Sequence, residues 1–264
     1  MSDDVPALST RDLTISFGGQ VAVNSVTCAF RQGTLTAIVG PNGAGKTTYF
    51  NLISGQLPPS DGSVSLFGED ITRLGAAHRT RLGLGRSFQL TNLYPSLTVF
   101  ENVRIAVQSV AKIRFDFLGV AARNAVLREE ARICLDRVKL AAQAELPAAA
   151  LSHGDQRKLE VAILLALKPR VFMFDEPTAG MSLDEVPVIL DLIEEIKLET
   201  DKTVLLVEHR MDVIKRLADR IIVLQDGKMI ADGAPEDVVA LPAVQQAYLG
   251  AHGAAELRRE SSHG

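Results

Sequence analysis

A chain of 264 residues, 47% hydrophobic and 23% charged, has ordinary globular usage and length for one large domain or two smaller ones. That balance excludes wholesale disorder and collagen-like or low-complexity architecture. A formal charge of −4 weighs against coating duplex nucleic acid, where affinity comes mainly from cationic contacts to phosphate.

The predicted elements follow in chain order. Leu13, Ile15 and Phe17, then Val21 and Val23, alternate with less apolar neighbours at strand period, and Gly18 and Gly19 mark a hairpin turn between them. Residues 34–39 form a second strand that runs into a glycine-rich loop and a helix beginning near Gly45. Another short strand, 63–67, follows a turn through Pro58, Pro59, Ser60, Asp61 and Gly62. From 97 to 146 the period becomes helical. Val99, Val103, Ala106, Val107 and Val110 make one stripe, and Val126, Ile133, Leu135 and Val138 another, with a break around 115–119. Residues 171–174 are an all-apolar strand suited to a parallel sheet covered on both faces. A helix over 183–198, a buried strand over 203–207 and a helix over 211–218 come next. Strands at 221–224 and 228–230 flank the hairpin pair Asp226 and Gly227, and Pro235 and Pro242 each open a short helix. The polar tail from 251 is expected to be mobile unless a partner orders it.

Two cysteines, Cys28 and Cys134, are too few for a disulfide scaffold and have no metal-ligand spacing. Both lie in apolar stretches and are expected as buried free thiols in a reducing compartment. No run approaches the roughly 18–20 apolar residues that cross a bilayer. The acidic, polar start has no secretory pattern. Any membrane role is therefore expected to be peripheral.

The decisive motif is Gly40, Pro41, Asn42, Gly43, Ala44, Gly45, Lys46, Thr47 and Thr48, which matches GxxxxGK[ST] between a predicted strand and a predicted helix. Glycines at 43 and 45 let backbone amides turn inward at a helix N-terminus, a concavity for anions. Lys46 would reach the β- and γ-phosphates of a nucleotide, and the Thr47 hydroxyl would bind Mg²⁺. A second piece stands at the end of the 171–174 strand, where Asp175 and Glu176 emerge at the edge on which open α/β sheets bind ligands. Asp175 is placed to hold the Mg²⁺ shell, and Glu176 to orient and polarise an attacking water.

At this point the chain resembles a family. Leu151, Ser152, His153, Gly154, Asp155 and Gln156 look like the LSGGQ signature of the ABC ATPases, and Arg157, Lys158, Leu159 and Glu160 follow as the opening of a helix. Gln89 matches the family's Q-loop glutamine, residues 179–184 its D-loop, His209 its switch histidine, and Phe17 its adenine-stacking aromatic. The resemblance covers essentially the whole chain. It implies an α/β P-loop NTPase with an antiparallel β layer and an inserted α-helical subdomain. Residues 1–89 and 161–250 would form the RecA-like core with its β subdomain, 90–160 the helical signature subdomain, and 251–264 a tail.

Within the family, the stretches 85–89, 97–102 and 247–250 and the two-part helical insertion are most like the ATPase subunits of branched-chain amino acid importers and of relatives for other small polar solutes. Subunits of lipopolysaccharide exporters look similar, and that alternative stays open. The resemblance implies ATP and Mg²⁺ as ligands, with Thr47, Gln89 and Asp175 towards the metal. It implies Lys46, Gln89, Glu176 and His209 in catalysis, and Ser152, Gly154 and Asp155 at a nucleotide bound by a second cassette. The expected partners are integral membrane permease subunits, a homodimeric or heterodimeric ABC ATPase mate, and a solute-binding protein reached through the permease. The expected place is the cytoplasmic face of the plasma (inner) membrane. No nucleic acid partner is expected.

Two departures stand out. His153 replaces a signature glycine, removing easy access to positive φ, and Asp155 puts a negative charge beside the partner's nucleotide. Rivals of other kinds are a soluble ABC ATPase acting on nucleic acid or the ribosome, and a nucleotide-dependent module without turnover. The first usually carries two cassettes, a long coiled coil or a basic arm, none visible here. An intact Glu176 and His209 argue against the second. Plainer readings apply elsewhere. His78, His252 and His263 are expected as solvated surface residues, Arg79, Arg81 and Arg86 as a solvated face, and Tyr94 and Phe100 as helical core.

Overall fold

The computed structural model describes residues 5–87, 93–111 and 120–246. They fall into two compact units. The first contains residues up to Ala76 and those from Thr203 onward, and the second runs Ala77–Lys202. The expected helical stretch 90–160 lies inside the second.

In the first unit, β1 (Leu8–Phe17) and β2 (Gln20–Phe30) form the hairpin read from Gly18 and Gly19, with Phe17 opposite Gln20. β4 (Asp61–Leu66) pairs antiparallel with the other edge of β1, and the two-residue β5 (Glu69–Asp70) completes an order β2-β1-β4-β5. Leu8, Leu13, Ile15, Val23, Val26 and Val64 are all buried, by alternation between Leu13 and Ile15 and by the register shifts near Asp12 and Ser25 that bring Leu8 and Val26 to the dry side as well.

A parallel layer sits in the same unit. β3 (Leu35–Val39) lies between β8 (Thr203–Val207) and β9 (Arg220–Gln225), and β10 (Lys228–Gly233) returns antiparallel beside β9 through Asp226 and Gly227. β3 and β8 are buried at every position, as strands without a wet face must be. Against this layer α7 (Met211–Leu217) and α8 (Pro235–Ala240) contribute Ile214 and Val238 to a core with Ala37, Val39, Ile221 and Val223. α1 (Lys46–Ser54) follows β3.

The second unit holds β6 (Leu84–Arg86) parallel to β7 (Val171–Asp175), with α2 (Ala76–Arg81) at the start of the unit. Its helices are α3 (Val99–Val110), α4 (Val120–Arg137), α5 (His153–Ala166) and α6 (Val186–Leu198). α3 is capped by Thr98, whose side chain accepts from the Glu101 N–H, and it buries Val99, Phe100, Val103, Ala106 and Val107. The Phe100 ring also carries the Arg128 guanidinium 5.2 Å from its centre.

Four expectations are corrected here. On α4 the buried stripe is Leu127, Ala131 and Leu135, continued by Val138 just past the helix end, while Val126 and Ile133 face solvent. The i, i+4 and i+3 steps of the smaller set satisfy the helical period, which counting only bulky residues obscured. Tyr94 is 56% exposed and outside the core, with its backbone N–H and C=O both held by the buried Asn102 amide. Arg79 is only 1% exposed, and Arg86 is buried as well, so the expected solvated face reduces to Arg81. α6 begins three residues later than read, because Pro187 suits a first helical turn and Ser182 is spent closing the turn before it. The expected break at 115–119, the stretch 247–250 and the tail from 251 lie outside the described residues.

Cys28 is buried and Cys134 half-buried, which corrects the second of the two expectations. Burial pushes the Cys28 thiol up from 9.0 to about 11, against the pull of the Arg220 guanidinium 3.7 Å away. Cys28 should then stay unreactive toward a disulfide reagent at pH 8 in folded Cys134→Ser protein and react once denaturant is added; immediate modification of native protein would contradict this burial. The folded chain keeps a proton that the unfolded chain releases, so this contribution to stability is complete below pH 9 and is lost as pH rises to about 11.

Candidate functional site

In the first unit the chain leaves β3 at Gly40 and turns into α1 at Lys46. Gly40 has φ 147° and lies so close against the Leu224 carbonyl that a Cβ would overlap it. Gly45, with φ 98°, caps α1 and backs onto the Ala22 carbonyl. Only glycine meets both demands, positive φ and a backbone neighbour where a side chain would be. The turn closes through the Ala44 N–H on the Pro41 carbonyl at 3.2 Å. It is moored by the Gly227 N–H on the Ala44 carbonyl at 3.1 Å, and Gly227 is itself held by the Asn24 N–H on its carbonyl at 2.8 Å.

The Lys46 ammonium folds back into this turn. It is 6% exposed and donates to the carbonyls of Gly40 at 2.7 Å and Pro41 at 2.9 Å. Thr47 and Thr48 are half-buried, whereas Asn42 and Gly43 are exposed. No acidic residue stands in the first turn of α1, so the partial positive charge of the helix start is uncancelled there. Phe17, at the end of β1, is 51% exposed with its ring available for stacking. His209 lies exposed in the loop after β8, where its backbone N–H donates to the Glu208 carboxylate at 2.9 Å.

In the second unit Asp175 ends β7, buried, with its Oδ2 accepting from Arg86 Nη2 at 2.7 Å. Arg86 comes from the adjacent β6, so parallel pairing sets the two side by side although 89 residues separate them. Burial pulls the Arg86 guanidinium down and the Asp175 carboxylate pulls it up, with burial the larger. Glu176, half-buried, has φ 49°. A β-strand followed at once by a left-handed non-glycine residue is a strained arrangement that redirects the chain and turns this carboxylate off the strand line.

The turn before α5 lies in the same unit. Ser152 caps α5 with its Oγ accepting from the Asp155 N–H at 3.1 Å, and both Ser152 and His153 are exposed while Gly154 is buried. His153 has no positive φ and is the first helical residue, so the concern raised by its replacing a glycine does not arise. The helix starts four residues before Arg157. Asp155 is held by Lys158 Nζ at 2.9 Å, which offsets the negative charge expected to stand bare at this turn. Gln89 lies outside the described residues.

Sequence reading placed the 40–45 turn, Asp175, Glu176, His209 and the loop around Ser152 on loops and element ends. It missed Arg86 as the partner of Asp175, for which no local signal exists. It also missed Lys158 as the partner of Asp155, for which the i, i+3 spacing on a helix was available.

Comparisons with known proteins bear on the whole chain. The family described as ABC transporter matches residues 23–179, and the one described as branched-chain amino acid ATP-binding cassette transporter matches 228–254. The high-affinity branched-chain amino acid transport ATP-binding protein LivG of Salmonella typhimurium is 36% identical over 251 residues, 93% of this chain and 98% of that one. BraF of Pseudomonas aeruginosa, with the same description, is 37% identical over 251 residues, again 93% of this chain and 98% of the relative. The dimeric, post-hydrolysis structure of the ATP-binding cassette MJ0796 bound to ADP and phosphate is similar with a TM-score of 0.76 at 26% identity, covering 86% of this chain and 98% of that one. Phosphate turn, strand-end carboxylates, capped α5 and these likenesses agree, and the chain belongs to the ABC transporter family as an ATP-binding, ATP-hydrolysing cassette.

Proposed function

We propose that this cassette drives the import of branched-chain amino acids or similar small polar solutes through integral membrane permease subunits. The observation that carries the substrate class is the match of residues 228–254 to the branched-chain amino acid cassette family, alongside 36–37% identity to LivG and BraF. No helix among the described residues is long and apolar enough to cross a membrane. The chain would work at the cytoplasmic face of the plasma membrane, docked peripherally on its permease, with a solute-binding protein delivering cargo on the far side. It would act as a homodimer or with a second cassette, as the dimer of MJ0796 supports.

The residue roles belong to the same proposal. The backbone of residues 40–45 and the start of α1 cradle the phosphates, and the Lys46 ammonium exchanges its two loop carbonyls for phosphate oxygens. Phe17 stacks on the base. Thr47, with its hydroxyl, and Asp175, with its carboxylate, each offer a hard oxygen donor of the kind that Mg²⁺ takes, and Gln89 is the further ligand that the family motif implies. When bound, that ion neutralises charge on the terminal phosphates. Glu176 orients and polarises the attacking water, and His209 contacts the γ-phosphate region. Ser152 and Gly154 close on a nucleotide held by the second cassette, with Asp155 beside them. Gln89 couples nucleotide state to the permease, with 90–160 as the helical subdomain between them.

Lys46→Ala should remove most of the thermal stabilisation that Mg-ATP gives the chain. A ligand at 100 times its Kd adds about 2.7 kcal/mol, which for a chain of this size reads as a Tm rise of roughly 5–10 °C. An undiminished rise in the variant would refute the cradle.

Glu176→Gln should bind ATP as before, lose turnover by about 10²–10⁴-fold, and accumulate an ATP-bound dimer on size-exclusion chromatography. Turnover at the wild-type rate would show that another group polarises the water. Import itself is tested in proteoliposomes carrying the chain with its permease, where uptake of labelled leucine on ATP addition is expected and uptake indifferent to ATP would exclude the reading.

A further inference from the structure

Within the second unit, the turn before α5 and the segment ahead of α6 are tied together by side chains. Lys158, one turn into α5, is nine-tenths buried and donates from one nitrogen to two carboxylates, Asp155 Oδ1 at 2.9 Å and Glu185 Oε1 at 3.3 Å. Glu185 spends its other oxygen on Ser182, accepting from the backbone N–H at 3.1 Å and the hydroxyl at 2.9 Å. Gly154 completes the contact, because its α-carbon lies where a Cβ would collide with the Glu185 carboxylate. A run of polar contacts therefore leads from Ser152 through Asp155, Lys158 and Glu185 to Ser182.

Charge gives the arrangement its sense. Asp155 and Glu185 are two anions at a turn whose helix start and exposed serine suit a phosphate. Without a cation between them they would repel each other and any phosphate approaching the turn. Although burial pulls the Lys158 ammonium down, the two carboxylates outweigh it and its pKa is raised, so the cation is present throughout the neutral range.

We propose that Lys158 is a positioning residue that clasps the Ser152–Gly154 turn to the Ser182–Glu185 segment and cancels the Asp155 charge, so that both segments close as one piece on the nucleotide of a second cassette. This rests on the two-cassette reading above. The partners of Lys158 are Asp155 and Glu185, so the clasp acts on association and turnover and leaves ATP affinity alone.

The test uses the full chain carrying Glu176→Gln, whose ATP-bound dimer is the readout, and the otherwise unaltered chain for turnover. Lys158→Met should keep the ATP Kd within about twofold and lower both ATP-dependent dimer and turnover by at least tenfold. Lys158→Arg, which keeps a cation with several donors, should restore both. Asp155→Asn in the Lys158→Met background should recover part of the loss, since it removes one of the two anions. Glu185→Gln, which keeps size and hydrogen bonding, guards against a folding defect and should show a milder form of the same split. Unchanged dimer and turnover in Lys158→Met would overturn the clasp, as would a loss of ATP affinity equal to the loss of turnover. Failure of the Glu176→Gln chain itself to form an ATP-dependent dimer would instead remove the homodimer, and with it the clasp between two copies of this chain.

Discussion

A buried charge is tolerated only where something answers it, and the site residues of this chain are arranged by that requirement. Lys46 is answered by the carbonyls of its own loop, which fixes the curvature of residues 40–45. Asp175 is answered by Arg86, which sets the end of β7 against the end of β6. Lys158 is answered twice, by carboxylates on two different segments. In each case the polar partner also fixes the backbone that carries the functional residue. Electrostatic satisfaction and site geometry are thus one constraint.

The backbone adds a second layer. Gly40 and Gly45 allow the phosphate turn to lie directly on the carbonyls of neighbouring strands, with no side chain between. Glu176 accepts a left-handed conformation at the end of a strand buried at every position. Such strain persists only when the surroundings over-determine it, and here β7 is dry along its whole length. The rigid sheet and the unusual residue at its edge belong together.

Much of this was legible in the residues. The Gly18–Gly19 and Asp226–Gly227 hairpins, the apolar β7 and β8, and the strand-loop-helix around Lys46 all announce themselves through local pattern, and they came out where expected. What stayed hidden has a common cause, partners distant in sequence. β6 is three residues long and too short for any period. Arg86 sits in a polar-looking stretch, and its burial follows from β7, far along the chain. Tyr94 looks like core by composition, yet Asn102 takes its backbone and leaves the ring outside. The stripe on α4 was misread because Ala131 fills a core position that bulk alone would have given to Val126 or Ile133.

The mooring of the phosphate turn has a consequence for how this sequence can vary. A two-residue hairpin at a surface is ordinarily where a protein family stores insertions, since loop tips tolerate added length. Asp226 and Gly227 form such a hairpin, yet Gly227 both donates to Ala44 and accepts from Asn24, and a Cβ there would press on Ala22. Lengthening this turn by even one residue would pull Gly227 away from Ala44 and Asn24 together, and the 40–45 loop would lose its mooring. Homologues that keep the loop should therefore keep the hairpin at its present length, and growth in the chain should be found at other connections.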